Sequence, residues 1–281
     1  MKIAIAQMPV TTKKDENLQT ACRYIHEAAT AGASLVILPE MFNCPYTSRY
    51  FRDFAEPEGG HSWQTISRQA AQEGVCVVAG SMPELSGERI YNTSWVFDRE
   101  GKQIARHRKT HLFDIQVEGG QHFRESDTFA AGSDVTIFSV DGVTMGLCIC
   151  FDFRFPELAR LLALEGAQVI VVPAAFNMTT GPMHWELMFR QRAVDNQVFT
   201  IGAAPARDKK ADYVSYGNSI LCSPWGKVLT RAEGEPQLLL AELDLTQVQA
   251  VRQQLPLLKA RREDVYALTK AGGRHCNQSS G

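Results

Sequence analysis

The chain has 281 residues, 44% of them hydrophobic and 21% charged, with a formal net charge of -2 and a sequence pI ≈ 6.4. These proportions are those of ordinary globular proteins and exclude a disordered or fibrous chain. The slightly acidic balance provides neither a basic surface for nucleic acid nor a polybasic segment for an anionic membrane, so a small-molecule partner is favoured.

The hydrophobic pattern alternates between the periods of strands and helices. In chain order it predicts a strand at 3–8, a helix at 15–29, a strand at 34–39, a helix at 63–73, and strands at 75–80 and 169–173. The run at 34–39 is apolar throughout, which is typical of a strand covered on both faces. Glu40 follows it directly.

Three turn signals interrupt this alternation, at 98–101, 141–142 and 224–226. Each lies between β-prone runs, which predicts antiparallel hairpins and therefore mixed sheets. No linker, repeat or charge block divides the chain. We predict a single α/β domain over residues 1–268 and a polar, disordered tail at 269–281.

The seven cysteines are scattered along the chain without the repeated spacing of a disulfide framework. Cys148 and Cys150 form a C-x-C pair, but no second pair or neighbouring histidine completes a tetrahedral zinc site, so no metal is expected. The N-terminal apolar run is too short for a signal peptide, and no run of about 20 apolar residues could span a bilayer. We therefore expect a cytoplasmic protein.

The segment 146–159 predicts a strand, a turn and a helix, with Pro156 at the first helical position. Cys150 lies at the turn. Such an elbow exposes its side chain, while the backbone N–H of Phe151 can point toward an oxyanion formed by nucleophilic attack. The pattern alone also allows Cys150 to be an inert, buried cysteine.

A cysteine nucleophile needs a general base, and Glu40 is a candidate because ligands bind at strand ends in α/β sheets. Glu40 could instead cap the loop that follows it. The basic run at 106–113 contains Lys109 and, by charge pattern alone, is typical of a solvated strand edge.

Three segments, at 36–42, 108–113 and 146–155, resemble in order the signature blocks of the nitrilase superfamily. This resemblance, which spans residues 3–268, implies a catalytic triad of Glu40, Lys109 and Cys150. It also implies that Glu125 positions the substrate amide or Lys109, although Glu125 could be an ordinary loop acid. We assign Cys148 to structure.

The segments 176–187, 192–199 and 205–208 are most similar to those of the omega-amidase group, which hydrolyses the terminal amides of 2-oxoglutaramate and 2-oxosuccinamate. The resemblance further implies an α-β-β-α sandwich with mixed sheets. Two such sandwiches would form a homodimer with the layers α-β-β-α-α-β-β-α, or would be part of a higher homo-oligomer.

The implied reaction proceeds through a thioester on Cys150 and requires no cofactor. We expect Arg154 to bind the carboxylate of the substrate, unless it pairs with a neighbouring acid. The other candidate substrate-binding residues are Tyr46, Phe176 and Arg207.

Two kinds of alternative remain. An amidase acting on deaminated glutathione, or a true nitrilase, would have the same catalytic groups. A non-catalytic α/β ligand-binding module belongs to another class, and it is disfavoured because no glycine-rich nucleotide motif follows a predicted strand.

Overall fold

The structure, a computed structural model, describes residues 1–119 and 121–271. The predicted tail at 269–281 therefore lies mostly outside the described residues. Among those that are described, one sheet has seven strands and another has six. None of the helices in this part of the chain is long and apolar enough to cross a bilayer.

The first sheet is mixed, because β1, β2 and β3 are parallel and their neighbours antiparallel. In spatial order it contains β15 (Gln237–Glu242), β1 (Lys2–Gln7), β2 (Leu35–Ile37), β3 (Cys76–Val78), β5 (Arg89–Phe97) and β4 (Met82–Ser86), and β6 (Gln103–Arg108) pairs with β5.

The second sheet is also mixed, with β10, β11 and β12 parallel. Its spatial order is β14 (Val228–Arg231), β13 (Ile220–Cys222), β12 (Phe199–Ala203), β11 (Val169–Pro173), β10 (Val143–Leu147) and β9 (Thr136–Val140). A separate small hairpin consists of β7 (Asp114–Gln116) and β8 (His122–Arg124).

The helices are α1 (Lys14–Thr30), α2 (Ser48–Phe54), α3 (His61–Glu73), α4 (Pro156–Leu164), α5 (Gly181–Asn196) and α6 (Thr246–Gln254). The alternation of side chains along β1 shows how the layers form. Ile3 and Ile5 share a core with residues of the second sheet, whereas Ala4 and Ala6 pack with residues of α1 and α3. On the other side, α4 and α5 cover the second sheet. The predicted α-β-β-α sandwich is confirmed.

The three predicted hairpins are confirmed, since β5 and β6, β9 and β10, and β13 and β14 are antiparallel pairs. Asp141 and Gly142 have φ values of 52° and 76°, as expected where two strands meet in a tight turn. The predicted strand at 34–39 is shorter, because β2 is limited to Leu35–Ile37 and a turn begins at Glu40. The predicted strand at 169–173 coincides with β11.

Candidate active site

Glu40 follows β2 in a loop that passes very close to the next strand connection. A Cβ atom on Gly80 would lie 2.0 Å from the carbonyl oxygen of Pro39, and Gly80 has a φ of 45°. Only glycine permits this approach. Met41, with a φ of 53°, is held by a hydrogen bond of 3.1 Å from its N–H to Ser81 Oγ. The segment after β3, at Gly80 and Ser81, thus fixes the backbone on both sides of Glu40.

Lys109 follows β6 directly and is fully buried. Its N–H donates to the carbonyl of Asn92 at 2.8 Å, and its carbonyl accepts from the N–H of Gly132 at 2.8 Å. A Cβ atom on Gly132 would lie 2.2 Å from the Arg108 carbonyl oxygen. At Lys109 the basic run is therefore packed between the segments that contain Asn92 and Gly132, and it is not a solvated strand edge there.

Cys150 begins a short 3-10 turn, 150–154, after the end of β10, and α4 starts at Pro156. The predicted strand, turn and helix are therefore present. The φ of Cys150 is 45°, a left-handed conformation that costs a non-glycine residue about 1–3 kcal/mol. Such strain is concentrated at functional sites. Cys148 is buried among residues of α4 and the second sheet, as expected for a structural residue.

The buried ammonium of Lys109 lies between two buried carboxylates. Lys109 Nζ is 2.9 Å from Glu40 Oε1 and 2.9 Å from Glu125 Oε2, and all three side chains are fully buried. Glu125 is therefore not a surface-loop acid. The thiol of Cys150 neighbours both the Glu40 carboxylate and the backbone of Ala175. The structure brings together the four residues implied by the family resemblance.

The two carboxylates differ in their hydrogen-bond donors. Glu125 Oε1 accepts from Tyr46 Oη at 2.7 Å and from Asn92 Nδ2 at 3.3 Å, and Oε2 accepts from the Phe113 N–H at 2.6 Å. Glu40 Oε1 accepts from Asn92 at 2.9 Å and from Lys109, but Glu40 Oε2 has no hydrogen-bond donor among the described residues. Glu40 is thus the carboxylate with an oxygen available for a proton.

The electrostatics agree with this division. Burial raises the pKa of Glu40, and the nearby charge of Glu125 adds to the rise while Lys109 opposes it. Burial alone would lower the pKa of Lys109, but the charges of Glu125 and Glu40 raise it above its usual value. Burial raises the pKa of Cys150 well above its usual value, and the charge of Glu40 adds to this rise. The resting site therefore holds a thiol beside a carboxylate with increased proton affinity.

A cavity of about 360 Å³ reaches this site. Its buried lining includes Glu40, Tyr46, Ala175 and Tyr213, and its exposed lining includes the charged side chains of Arg49, Asp208, Lys210 and Asp212. Arg49 forms a salt bridge with Asp212. The volume suits a small linear molecule rather than a polymer.

The candidate substrate-binding residues occupy different places. Tyr46 lines the cavity and also donates to Glu125. Arg207 is not part of the cavity lining, and its guanidinium donates to the carbonyl of Tyr216 at 2.6 Å. This contact gives Arg207 a structural position, so the structure does not bring it to the site.

Arg154 and Phe176 lie together, with the guanidinium 4.7 Å from the ring centroid, and neither residue is on the cavity lining. Arg154 Nη1 is 3.2 Å from His184 Nδ1, and among the described residues Arg154 has no carboxylate as an ion-pair partner. Burial lowers the pKa of Arg154, and its charge is near enough to act on Cys150 and Tyr213. The alternative that Arg154 pairs with a neighbouring acid is therefore wrong for the described part of the chain.

Three residues at the site were missed by sequence reasoning: Asn92, Tyr213 and Asp152. Asn92 donates to both carboxylates from the middle of β5, and Tyr213 Oη donates to the carbonyl of Ala175. An asparagine within a strand and a tyrosine within a loop carry no local sequence signal for such contacts.

In the described residues, no group of three or more histidine, cysteine or acidic side chains is arranged to hold a metal ion.

Residues 2–253 match the carbon–nitrogen hydrolase family. Omega-amidase NIT2 of Mus musculus is 46% identical over 267 residues, which cover 95% of this chain and 97% of that relative, and the Homo sapiens omega-amidase NIT2 is 44% identical with the same coverage. The crystal structure of Saccharomyces cerevisiae Nit3, a member of branch 10 of the nitrilase superfamily, superimposes with a TM-score of 0.86 at 39% identity. The match covers 93% of this chain and 96% of the yeast protein.

Proposed function

The chain belongs to the carbon–nitrogen hydrolase family, and we propose that it is an omega-amidase that releases ammonia from the terminal amide of 2-oxoglutaramate or 2-oxosuccinamate. The observation that carries this proposal is the placement of the Cys150 thiol beside Glu40, which in turn contacts the buried Lys109. The similarity to omega-amidases over nearly the whole chain supports the substrate class.

In the first half of the reaction, Glu40 accepts the thiol proton and the Cys150 sulfur forms a bond to the amide carbon. Negative charge develops on the amide oxygen, where the Lys109 ammonium and the Phe151 N–H would stabilise it. Glu40 then returns the proton to the amide nitrogen as the C–N bond breaks. Ammonia leaves, and the acyl group remains on Cys150 as a thioester.

In the second half, Glu40 takes a proton from a water molecule, and the hydroxide attacks the thioester carbon. The C–S bond breaks, the sulfur regains a proton, and the free carboxylic acid departs. Glu125 has no part in the proton transfers, because its two oxygens already accept hydrogen bonds from Tyr46, Asn92 and Phe113. Its charge holds Lys109 in place. No step requires a metal or an organic cofactor.

Ammonia release from a panel of amides tests this proposal. We expect fast turnover of 2-oxoglutaramate and 2-oxosuccinamate, slow turnover of deaminated glutathione, and little from an aliphatic nitrile of similar length. EDTA should leave every rate unchanged. Preferred hydrolysis of deaminated glutathione or of the nitrile would assign the chain to a sister activity, and tight nucleotide binding without any turnover would favour a ligand-binding module.

Arg154 is proposed to bind the distal carboxylate, since it is half-buried without an acidic partner among the described residues. Arg154→Lys retains the charge but loses the planar fork, so binding of the acidic substrate should weaken by about 1–3 kcal/mol. The measurement is KM for 2-oxoglutaramate and for a neutral amide of similar length.

A selective rise in KM for the acidic substrate supports this role. Arg207→Lys is the matched control, because the Arg207 guanidinium already donates to the carbonyl of Tyr216. An equal effect of Arg154→Lys on both substrates would mean that Arg154 only holds the elbow. The carboxylate would then be recognised elsewhere, with Arg49 and Lys210 as cations already on the cavity lining.

Assembly as a homodimer and a cytoplasmic location complete the proposal. Support for self-association comes from α5 and the turn after β13, where Met183, Leu187 and Trp225 are 73%, 63% and 61% exposed. Apolar side chains of this size are typical of interfaces where they form one contiguous patch. Light scattering of the purified chain would report its mass in solution.

A further inference from the structure

Asp152 is a fully buried carboxylate that the proposed reaction does not use. It lies in the 3-10 turn two residues after Cys150. Burying a carboxylate costs free energy unless it is fully hydrogen-bonded, so the hydrogen-bond partners of Asp152 indicate its role. The partners come from two separate segments of the chain.

One segment is the nucleophile elbow itself. Asp152 Oδ2 accepts a hydrogen bond from the N–H of Ile149 at 3.1 Å, and the N–H of Asp152 donates back to the Ile149 carbonyl at 3.0 Å. These two contacts close the turn around Cys150, whose left-handed backbone conformation would otherwise relax.

The other segment directly follows Lys109. Asp152 Oδ1 accepts from the N–H of Thr110 at 3.1 Å, from the N–H of His111 at 2.7 Å, and from His111 Nδ1 at 2.9 Å. His107, two residues before Lys109, places its Nε2 2.9 Å from Asp152 Oδ2. One carboxylate therefore holds the chain on both sides of Lys109.

We propose that Asp152 is a positioning residue that fixes the Cys150 sulfur relative to the Lys109 ammonium by binding the backbone beside each of them. β6 and β10 belong to different sheets. The relative position of the two catalytic groups is thus set by this contact between sheets as well as by the packing of the core. This inference rests on the proposed roles of Cys150 and Lys109.

The ionised form of the Asp152 side chain is the one that can accept all of these hydrogen bonds. Burial alone would raise the pKa of Asp152, but the hydrogen bonds from His107 and His111 outweigh it and lower the pKa below its usual range. A carboxylate presents two acceptor oxygens, and here all five donors point at them. An asparagine side chain has one acceptor oxygen, and its amide NH₂ would face N–H donors.

Asp152→Asn tests the proposal through the separation of kcat from KM. A misplacement of about 1 Å between catalytic groups can cost about 10²-fold in rate, so kcat for 2-oxoglutaramate should fall about 10²-fold while KM changes little. Asp141→Asn is the matched control, because Asp141 is bound by Arg99 at the opposite end of β10. It should lose some stability and keep its kcat.

His111→Phe is the second variant, and it remains informative if Asp152→Asn does not fold. His111 is half-buried and stacks on Phe155 with ring centroids 3.8 Å apart, a contact that phenylalanine retains. Loss of its single charge-assisted hydrogen bond to Asp152 should lower kcat about tenfold with KM unchanged.

Wild-type kcat in folded Asp152→Asn, or in His111→Phe, would overturn the positioning role. A parallel rise in KM and fall in kcat that follows the loss of thermal stability would also overturn it, since that is the result of a merely structural residue. If the wild-type chain itself releases no ammonia from any amide, the proposed function fails and the positioning role fails with it, whereas the variant results above overturn the positioning role alone.

Discussion

Cys150→Ala is expected to abolish amide hydrolysis, with a loss on the order of 10⁵-fold or more, because the proposed thioester forms on the Cys150 sulfur. The substitution removes one buried sulfur atom and leaves the backbone turn in place, so the fold should persist. Ammonia release and thermal unfolding of the same preparation measure the two effects separately.

Cys148→Ala is the matched control two residues away. Cys148 is fully buried in the core beside α4, so its truncation should cost about 1–2 kcal/mol of stability and leave turnover near the wild-type value. If Cys150→Ala retained turnover while a stable Cys148→Ala were inactive, the nucleophile would be Cys148.

Lys109→Met and Glu40→Gln should each lower kcat by at least about 10²-fold, the scale of a lost oxyanion donor or a lost general base. Lys109→Met should also destabilise the chain, because it leaves Glu40 and Glu125 buried without their shared cation. Steady-state kinetics with 2-oxoglutaramate, together with thermal unfolding, provide the measurement.

The Lys14–Glu56 ion pair offers matched controls outside the site. Its atoms are 2.7 Å apart, and both side chains are largely buried. Lys14→Met and Glu56→Gln should reduce stability without a comparable loss of kcat. Equal losses of kcat in both pairs of variants would mean that Lys109 and Glu40 act only through the fold.

The pH dependence of kcat/KM should show the raised pKa of Glu40. Because burial raises that pKa above the usual value for a carboxyl, the rate should fall on the acidic side at a higher pH than an exposed glutamate would give. Glu40→Gln should remove this acidic limb from whatever activity remains.

Much of the fold was predictable because its signals are local. The run at 169–173 is apolar throughout, follows Gln168 and ends at Pro173, so the prediction of β11 needed no tertiary information. The Asp141-Gly142 turn was predictable because few residue pairs adopt positive φ at both positions. The division of the strands into two sheets was not predictable from such patterns and came from the family resemblance.

The site was predictable only in part, for a physical reason. Charge pattern favoured a solvated edge for Lys109, and the burial that reverses this interpretation comes from Asn92 and Gly132, which are distant in sequence. The family resemblance supplied the positions of Glu40, Lys109, Cys150 and Glu125. The resemblance gave no contact for Arg207, whose position at Tyr216 depends on how the long connection between β12 and β13 folds back on itself.

The proposed reaction forms an acyl-enzyme on Cys150, which can be trapped by rapid acid quenching of the wild-type chain mixed with excess 2-oxoglutaramate and identified by peptide mass spectrometry. We expect a hydroxylamine-sensitive adduct with the mass of the substrate less ammonia, and fragment ions that place it on Cys150 and not on Cys148. An adduct on Cys148, or steady ammonia release with no adduct at any quench time, would contradict a thioester intermediate on Cys150.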